Sequence, residues 1–261
     1  MPAPINQFKQ QLLAGTRTVG LWMGFCDPYV AELVGKSGFD WVVIDGEHTP
    51  NDIPLLTRQL QVLDPLPTSA IVRLPVGDVN LIKQVLDGGA QTLLIPMVNT
   101  AEQAKQLVAA MRYAPEGIRG MGGALARSTN FGRDADYVAT ANDQMCLLVQ
   151  IETRQGLENL DEILAVDGVD GLFVGPADLS AEMGYPGRPD APEMQALISE
   201  TLGRIRDGGK AAGIIDFSED AVTRHYASGA QYVAVGADIT FLSRGLRDLA
   251  TRWKDQVSTF D

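Results

Sequence analysis

Glu152 and Asp178 are the two acids whose placement most directly points to chemistry. Glu152 follows the apolar run Met145 to Ile151 (MCLLVQI), and Asp178 follows Gly171 to Gly175 (GLFVG) through a Gly-Pro-Ala-Asp step that holds it in a fixed turn. If the two runs are neighbouring strands, both carboxylates reach one point, and two carboxylates completed by water and substrate oxygens suit a hard divalent cation. No Cys or His lies at zinc spacing nearby, so Mg2+, Mn2+ or Co2+ fits better than structural zinc. Either acid alone also reads as a solvated loop carboxylate or a helix cap.

Arg73 sits inside the run Ala70 to Leu74 (AIVRL), where a guanidinium is costly unless it meets anions at a rim. One reading is a structural ion pair. The other is stabilisation of negative charge developing on a substrate oxygen beside a metal, which a planar, permanently charged group does well. His48 directly follows Asp45, Gly46 and Glu47 (DGEH). An unperturbed imidazole pKa near about 6.5 lets it take and return a proton near neutrality. Asp45 is placed to orient its ring. The other histidine, His225 in TRHYASG, falls on an expected outer helix and reads as structural.

Two rival chemistries lose support. A Schiff base needs a lysine projecting from a strand into the site. Lys9, Lys36, Lys83, Lys105, Lys210 and Lys254 all lie outside the apolar runs, and Lys210 precedes its run. Covalent serine or cysteine catalysis lacks a G-x-S-x-G motif, and neither Cys26 nor Cys146 has an obvious histidine partner.

The elements that must position these groups recur along the chain. Apolar runs rich in Val, Ile and Leu cover Thr18 to Phe25, Trp41 to Asp45, Ala70 to Leu74, Thr92 to Val98, Met145 to Ile151, Gly171 to Gly175, Ala212 to Ile215 and Tyr232 to Gly236. Continuous runs of this kind suit parallel strands covered on both faces. Between them, helices fit Pro28 to Ser37 behind an Asp27 cap, Val79 to Asp87 behind Asp78, and Thr100 to about Tyr113 with a Thr100/Gln103 capping box. Further helices fit Gln155 to Ala165, Pro192 to Arg206, Glu219 to Ser228 and Ile239 to Lys254. Eight alternations predict an α/β chain folded as a (β/α)8 TIM barrel filling residues 1–261 as one domain, and the carboxyl ends of its strands then form the site. A Rossmann-type sheet is the competing architecture, weakened because no G-x-G-x-x-G follows a predicted strand. The glycine-rich stretch PEGIRGMGGALARSTNFGR predicts a long loop above the barrel, either a plain surface excursion or a segment that helps to build the mouth or a subunit contact.

Composition limits the partners. The 261 residues carry 21 basic and 33 acidic side chains for a net charge of −12, which repels nucleic acid and anionic lipid. No apolar run is long enough to cross a bilayer, so no membrane association is expected. The start MPAPINQFKQQLLAG lacks the order of an export signal, and two cysteines give no disulfide framework, so a cytoplasmic location is expected.

Six motifs then occur together and in order: IDGEH (44–48), PEGIRGMGGALAR (115–127), ANDQM (141–145), QIET (150–153), VGPADLSAEMGY (174–185) and VAVGAD (233–238). From GLWMG at residue 20 to about residue 250 the chain resembles the HpcH/HpaI family of metal-dependent class II pyruvate aldolases. The resemblance implies a barrel of the phosphoenolpyruvate/pyruvate superfamily type, its C-terminal helix exchanged between paired subunits in a homohexamer of three dimers. It implies Glu152 and Asp178 as metal ligands, pyruvate chelating the metal, and Gln150 and the Ala177 amide assisting. It further implies Arg73 on the keto oxygen and His48 as acid/base through a metal-bound water. Asp45 lies beside that histidine, and Asp87 matches an aspartate given by a neighbouring subunit. Trp22 and Ile215 match positions lining the acceptor side, whereas Asp216 and Phe217 replace a small or aliphatic pair and leave the aldehyde open.

The expected reaction is reversible cleavage of a 4-hydroxy-2-oxo acid to pyruvate and an aldehyde. A carbon–carbon lyase acting on coenzyme A thioesters is the alternative within the superfamily, although no basic cluster suits a nucleotide. A non-catalytic barrel is the alternative outside it.

Overall fold

The computed structural model describes residues 1–260. Eight parallel strands close a barrel in sequence order: β1 (Thr18–Met23), β2 (Trp41–Asp45), β3 (Ser69–Arg73), β4 (Thr92–Ile95), β5 (Cys146–Ile151), β6 (Gly171–Val174), β7 (Ala211–Ile215) and β8 (Tyr232–Ala237). Alternation along each strand divides the apolar side chains between two cores. Trp22, Trp41, Val43, Ile71, Leu94, Leu148, Phe173 and Tyr232 fill the barrel, while Leu21, Val42, Ile44, Val72, Leu93, Val149 and Leu172 meet the helices outside. Glycines make room for the interior aromatics. A Cβ on Gly20 would lie 2.3 Å from the Trp41 ring and one on Gly213 2.2 Å from the Tyr232 ring.

The lower rim is closed by α1 (Gln7–Leu13), capped by Asn6. Its Phe8 packs edge-on against Trp41 and Tyr232, at ring separations of 5.9 and 5.6 Å. Such aromatic pairs add about 0.5–1.5 kcal/mol each beyond burial. The outer helices are α2 (Pro28–Gly35), α3 (Ile53–Leu63), α4 (Val79–Asp87), α5 (Ala101–Met111), α6 (Tyr137–Gln144), α7 (Arg154–Glu158), α8 (Leu160–Leu164), α9 (Pro176–Glu182), α10 (Pro192–Asp207), α11 (Glu219–Ser228) and α12 (Asp238–Val257). Asp27, Asp78 and the Thr100/Gln103 box cap α2, α4 and α5 as expected.

Four features depart from expectation. The single helix expected over Gln155 to Ala165 breaks at Asn159 into α7 and α8. No helix was predicted between β2 and β3, yet Asp52 caps α3 there and Leu56, Leu60 and Leu63 bury one face of it. Asp178 stands in the first turn of α9 rather than in a fixed turn. The glycine-rich stretch lies at the other end of the barrel from the mouth, because it leaves the C-terminal end of α5 and each helix runs antiparallel to its strand. It is tied there by Arg119 to Asp87 at the end of α4 (2.8 Å) and by Arg127 to the Gly88 carbonyl (3.2 Å).

The α12 helix is held at its start, where Asp238 accepts hydrogen bonds from the Gly24 and Phe25 amides at 2.7 and 3.2 Å. Beyond that, Phe241, Leu242, Leu246, Leu249 and Trp253 are exposed. No helix among the described residues is long and apolar enough to cross a membrane.

Candidate active site

The β2–β3 register sets the first half of the site. Asp45 and Arg73 end their strands as direct neighbours. That pairing produces a two-pronged bond, Arg73 Nε to Asp45 Oδ1 at 2.9 Å and Nη2 to Oδ2 at 2.7 Å. Both residues are buried, at 6% and 3% exposure. Arg73 Nη1 lies 2.7 Å from Glu47 Oε2, and its guanidinium stacks 4.7 Å from the centre of the Trp22 ring. Trp22 also donates its indole N–H to Asp45 Oδ2 at 3.2 Å. The chain turns away at Gly46, whose amide donates to the Arg73 carbonyl at 2.8 Å. A Cβ on Gly46 would stand 2.7 Å from that same oxygen.

These contacts correct one expectation. Asp45 holds the His48 backbone amide at 3.4 Å but does not reach its ring, because its oxygens are otherwise taken by Arg73, Trp22 and the Glu47 amide. His48 has 66% of its side chain exposed, and its Nε2 lies 3.7 Å from Glu47 Oε2. Asp87 does not approach His48 within the chain either. It pairs with the buried Arg119 at the lower rim.

Neighbouring strands β5 and β6 supply the other half. Glu152 is only 2% exposed. Its Oε1 accepts the Met97 amide at 2.8 Å, and its Oε2 accepts from the Gln150 amide. Met97 delivers that N–H from a left-handed conformation, φ 56°, which a non-glycine residue adopts only when its surroundings enforce it. Gly175 opens the space behind the carboxylate, since a Cβ there would come within 2.4 Å of Glu152 Oε2 and 2.9 Å of Gln150 Nε2. Asp178 and Ala177 are exposed in the first turn of α9, ahead of that helix's first internal bond, Leu179 N–H to Gly175 C=O at 3.0 Å. Ile215 ends β7 on the interior side, packed against the barrel-filling cluster.

The electrostatics are unusually acidic. Burial pushes the Glu152 carboxyl up, and the charges of Asp178 and Glu47 push it further, against the two hydrogen bonds that favour its ionised form. Burial likewise raises Glu47, opposed by Arg73 and His48 and reinforced by Asp45 and Asp178. Three carboxylates therefore feel one another across the mouth. Glu47 had no separate role in the sequence expectation, although it lies within IDGEH; the Met97 amide carries no sequence signal at all. Gln150 Oε1 is buried and lacks a hydrogen-bond partner among the described residues.

Asp45 behaves oppositely. Burial raises its carboxyl, but the Arg73 bonds and charge, the Glu47 amide and the Trp22 indole together hold it below the ordinary 3.8. A depressed carboxyl stabilises the fold above its unfolded pKa and loses that contribution as pH falls through its folded value. The stability advantage of the parent over Asp45→Asn is thus full at pH 7 and shrinks below about pH 3.8. Urea unfolding of both proteins at pH 7, 5 and 3 measures it.

The family model for HpcH/HpaI aldolase/citrate lyase matches residues 18–244. The chain is 53% identical to the hydroxypyruvate/pyruvate aldolase of Roseovarius nubinhibens over 97% of its own length and 99% of that protein's. It is 52% identical to the 4-hydroxy-2-oxo-heptane-1,7-dioate aldolase of Klebsiella pneumoniae, over 97% and 96%. Among solved structures, an HpcH/HpaI aldolase/citrate lyase family protein from Burkholderia cenocepacia superposes with a TM-score of 0.91 at 34% identity, covering 95% of this chain and 99% of that one. The chain therefore belongs to the HpcH/HpaI aldolase/citrate lyase family and is a carbon–carbon lyase of the aldolase type.

Proposed function

We propose that this enzyme reversibly cleaves 4-hydroxy-2-oxo acids into pyruvate and an aldehyde with a divalent cation, Mg2+, Mn2+ or Co2+, held by Glu152 and Asp178. The observation that carries the reading is the buried Glu152 carboxylate facing Asp178 and Glu47, beside an orphaned Gln150 oxygen. A buried carboxylate with two further acids bearing on it is costly without a cation, and hard oxygen donors are what such a cation takes. Among the described residues no three His, Cys, Asp or Glu side chains close on one point. Two carboxylates completed by substrate oxygens and water suit that arrangement. When bound, the cation supplies Lewis-acid polarisation of the keto group.

The chain's own groups do the rest. Arg73, fixed by Asp45 and Trp22 and paired with Glu47 through Nη1, places a permanent positive charge where negative charge gathers on the keto oxygen. Gln150 and the Ala177 amide orient the carboxylate end of pyruvate. His48 takes the proton of the 4-hydroxyl in cleavage while the C3–C4 bond breaks, and the electron pair of that bond becomes the C2–C3 double bond. A proton returned to C3 completes pyruvate. Trp22 and Ile215 border the side from which the aldehyde leaves.

The family resemblance extends this reading to the assembly. One barrel domain exchanges α12 with a paired subunit, which would cover the exposed Phe241, Leu246, Leu249 and Trp253. Three such pairs form a hexamer, in which a neighbour's lower rim brings Asp87 toward His48. The acidic balance and the substrate class fit a cytoplasmic enzyme working on small molecules.

The test is condensation of pyruvate with a panel of aldehydes by chelator-treated enzyme, read by product mass. Product is expected only after Mg2+, Mn2+ or Co2+ is restored. Undiminished product from the stripped enzyme would overturn the metal assignment.

A further inference from the structure

Asp216 and His225 form a pair that the reaction as described does not use. Along β7, Ala211 and Ile215 belong to the barrel interior, whereas Ala212 and Ile214 face the helices. Asp216 continues that alternation outward, and its amide stays on the sheet by donating to the Ala234 carbonyl at 3.0 Å. Its carboxylate meets His225 of α11, Oδ2 to Nε2 at 3.0 Å, and Oδ1 accepts the Ser218 amide at 3.0 Å. His225 is fully buried, and its Nδ1 has no partner among the described residues. Burial raises the Asp216 carboxyl, but His225 and the Ser218 and Phe217 amides outweigh it and keep the group ionised. Both carboxylate oxygens are thereby committed to α11 and to the loop, leaving none for a substrate.

The pair instead clips the three residues that leave β7 at the mouth. Ile215 ends β7 packed against the interior cluster, and Phe217, in the bend two residues beyond it, exposes 59% of its surface. The backbone that carries this exposed aromatic is anchored to its strand through the Asp216 amide and to its helix through the Asp216 carboxylate.

We propose that Asp216 and His225 are positioning residues that hold Ile215 and Phe217 as the aldehyde-side wall, and that this wall selects an uncharged, apolar acceptor over one bearing a carboxylate. The inference rests on the pyruvate-and-aldehyde reading above. An apolar wall backed by an ionised carboxylate welcomes a hydrocarbon chain and offers an anion neither a hydrogen bond nor a counter-charge.

Butanal and 4-oxobutanoate test it, because they differ only in a terminal methyl or carboxylate. Each is condensed with pyruvate by Mn2+-supplied enzyme, and exchange of pyruvate methyl protons in deuterated water is followed without aldehyde. The parent should favour butanal in kcat/KM by about tenfold or more, the scale of one apolar contact. Phe217→Ala and His225→Ala should each raise the butanal KM by about tenfold with kcat little changed. His225→Gln, which keeps a donor to Asp216, should recover most of it. Proton exchange in both His225 variants should match the parent. Intact exchange with an unmoved butanal KM, or a parent preference for 4-oxobutanoate, would overturn the inference alone. So would parallel loss of exchange and condensation in both His225 variants. No exchange in the parent would overturn the pyruvate reading and the inference with it.

Discussion

Glu152→Ala is expected to lose metal-dependent turnover by at least about 10³-fold, because Lewis-acid stabilisation supplies several kcal/mol and each 1.36 kcal/mol is tenfold in rate. Asp178→Ala should behave alike. Their structural costs should differ. Glu152 is buried and accepts from Met97 and Gln150, so its removal leaves two donors unpaired and lowers stability as well. Asp178 is exposed in the first turn of α9, and its loss should leave the melting temperature close to the parent's. Electron paramagnetic resonance of free Mn2+ beside each variant, together with a melting curve, separates the effects. A Glu152 variant that binds Mn2+ and turns over like the parent would remove that residue from the metal site.

Arg73→Ala should cost about 10² to 10³ in kcat, the range for deleting one preorganised donor to a developing oxyanion. It should also destabilise the fold by about 3–5 kcal/mol, since Asp45 is left as a buried charge without its partner. Activity and stability therefore have to be read separately. Arg73→Lys keeps the charge but gives up the two-pronged geometry, so it should recover part of the stability and little of the rate. Unfolding midpoints and turnover of both variants at saturating Mn2+ decide it. Equal recovery of both quantities by lysine would reduce Arg73 to a structural ion pair.

The strands were legible because burial on both faces leaves no room for polar residues, and β2 ends where WVVID ends. Caps were legible for a different reason, since a side-chain oxygen at Asp27, Asp78 or Thr100 accepts the unpaired amides of the first helical turn. The helix α3 carried comparable signals, an Asp52 cap and Pro54 ahead of Leu56, Leu60 and Leu63, yet it was missing from the predicted set. The α9 helix was harder to read, since its seven residues follow a Gly-Pro step that also suits a turn. Loop length alone does not place the glycine-rich stretch, whereas chain direction does. A segment that leaves a helix returns to the amino ends of the strands.

In the site, the converging residues were visible as polar positions after apolar runs, but their pairing was not. Asp45 is close to His48 in sequence and is nonetheless engaged by Arg73, because strand register outranks proximity along the chain. The Glu152 support from Met97 depends on one backbone dihedral, and the Asp216–His225 bond depends on how α11 folds back over β7.

Crystals soaked with Mn2+ and pyruvate, measured for anomalous scattering, show whether Glu152 and Asp178 hold the cation against which pyruvate reacts. One manganese peak is predicted within bonding distance of both carboxylates, with the keto oxygen of pyruvate lying between it and Arg73. A peak elsewhere, or pyruvate seated away from these two acids, would remove the cation site from Glu152 and Asp178.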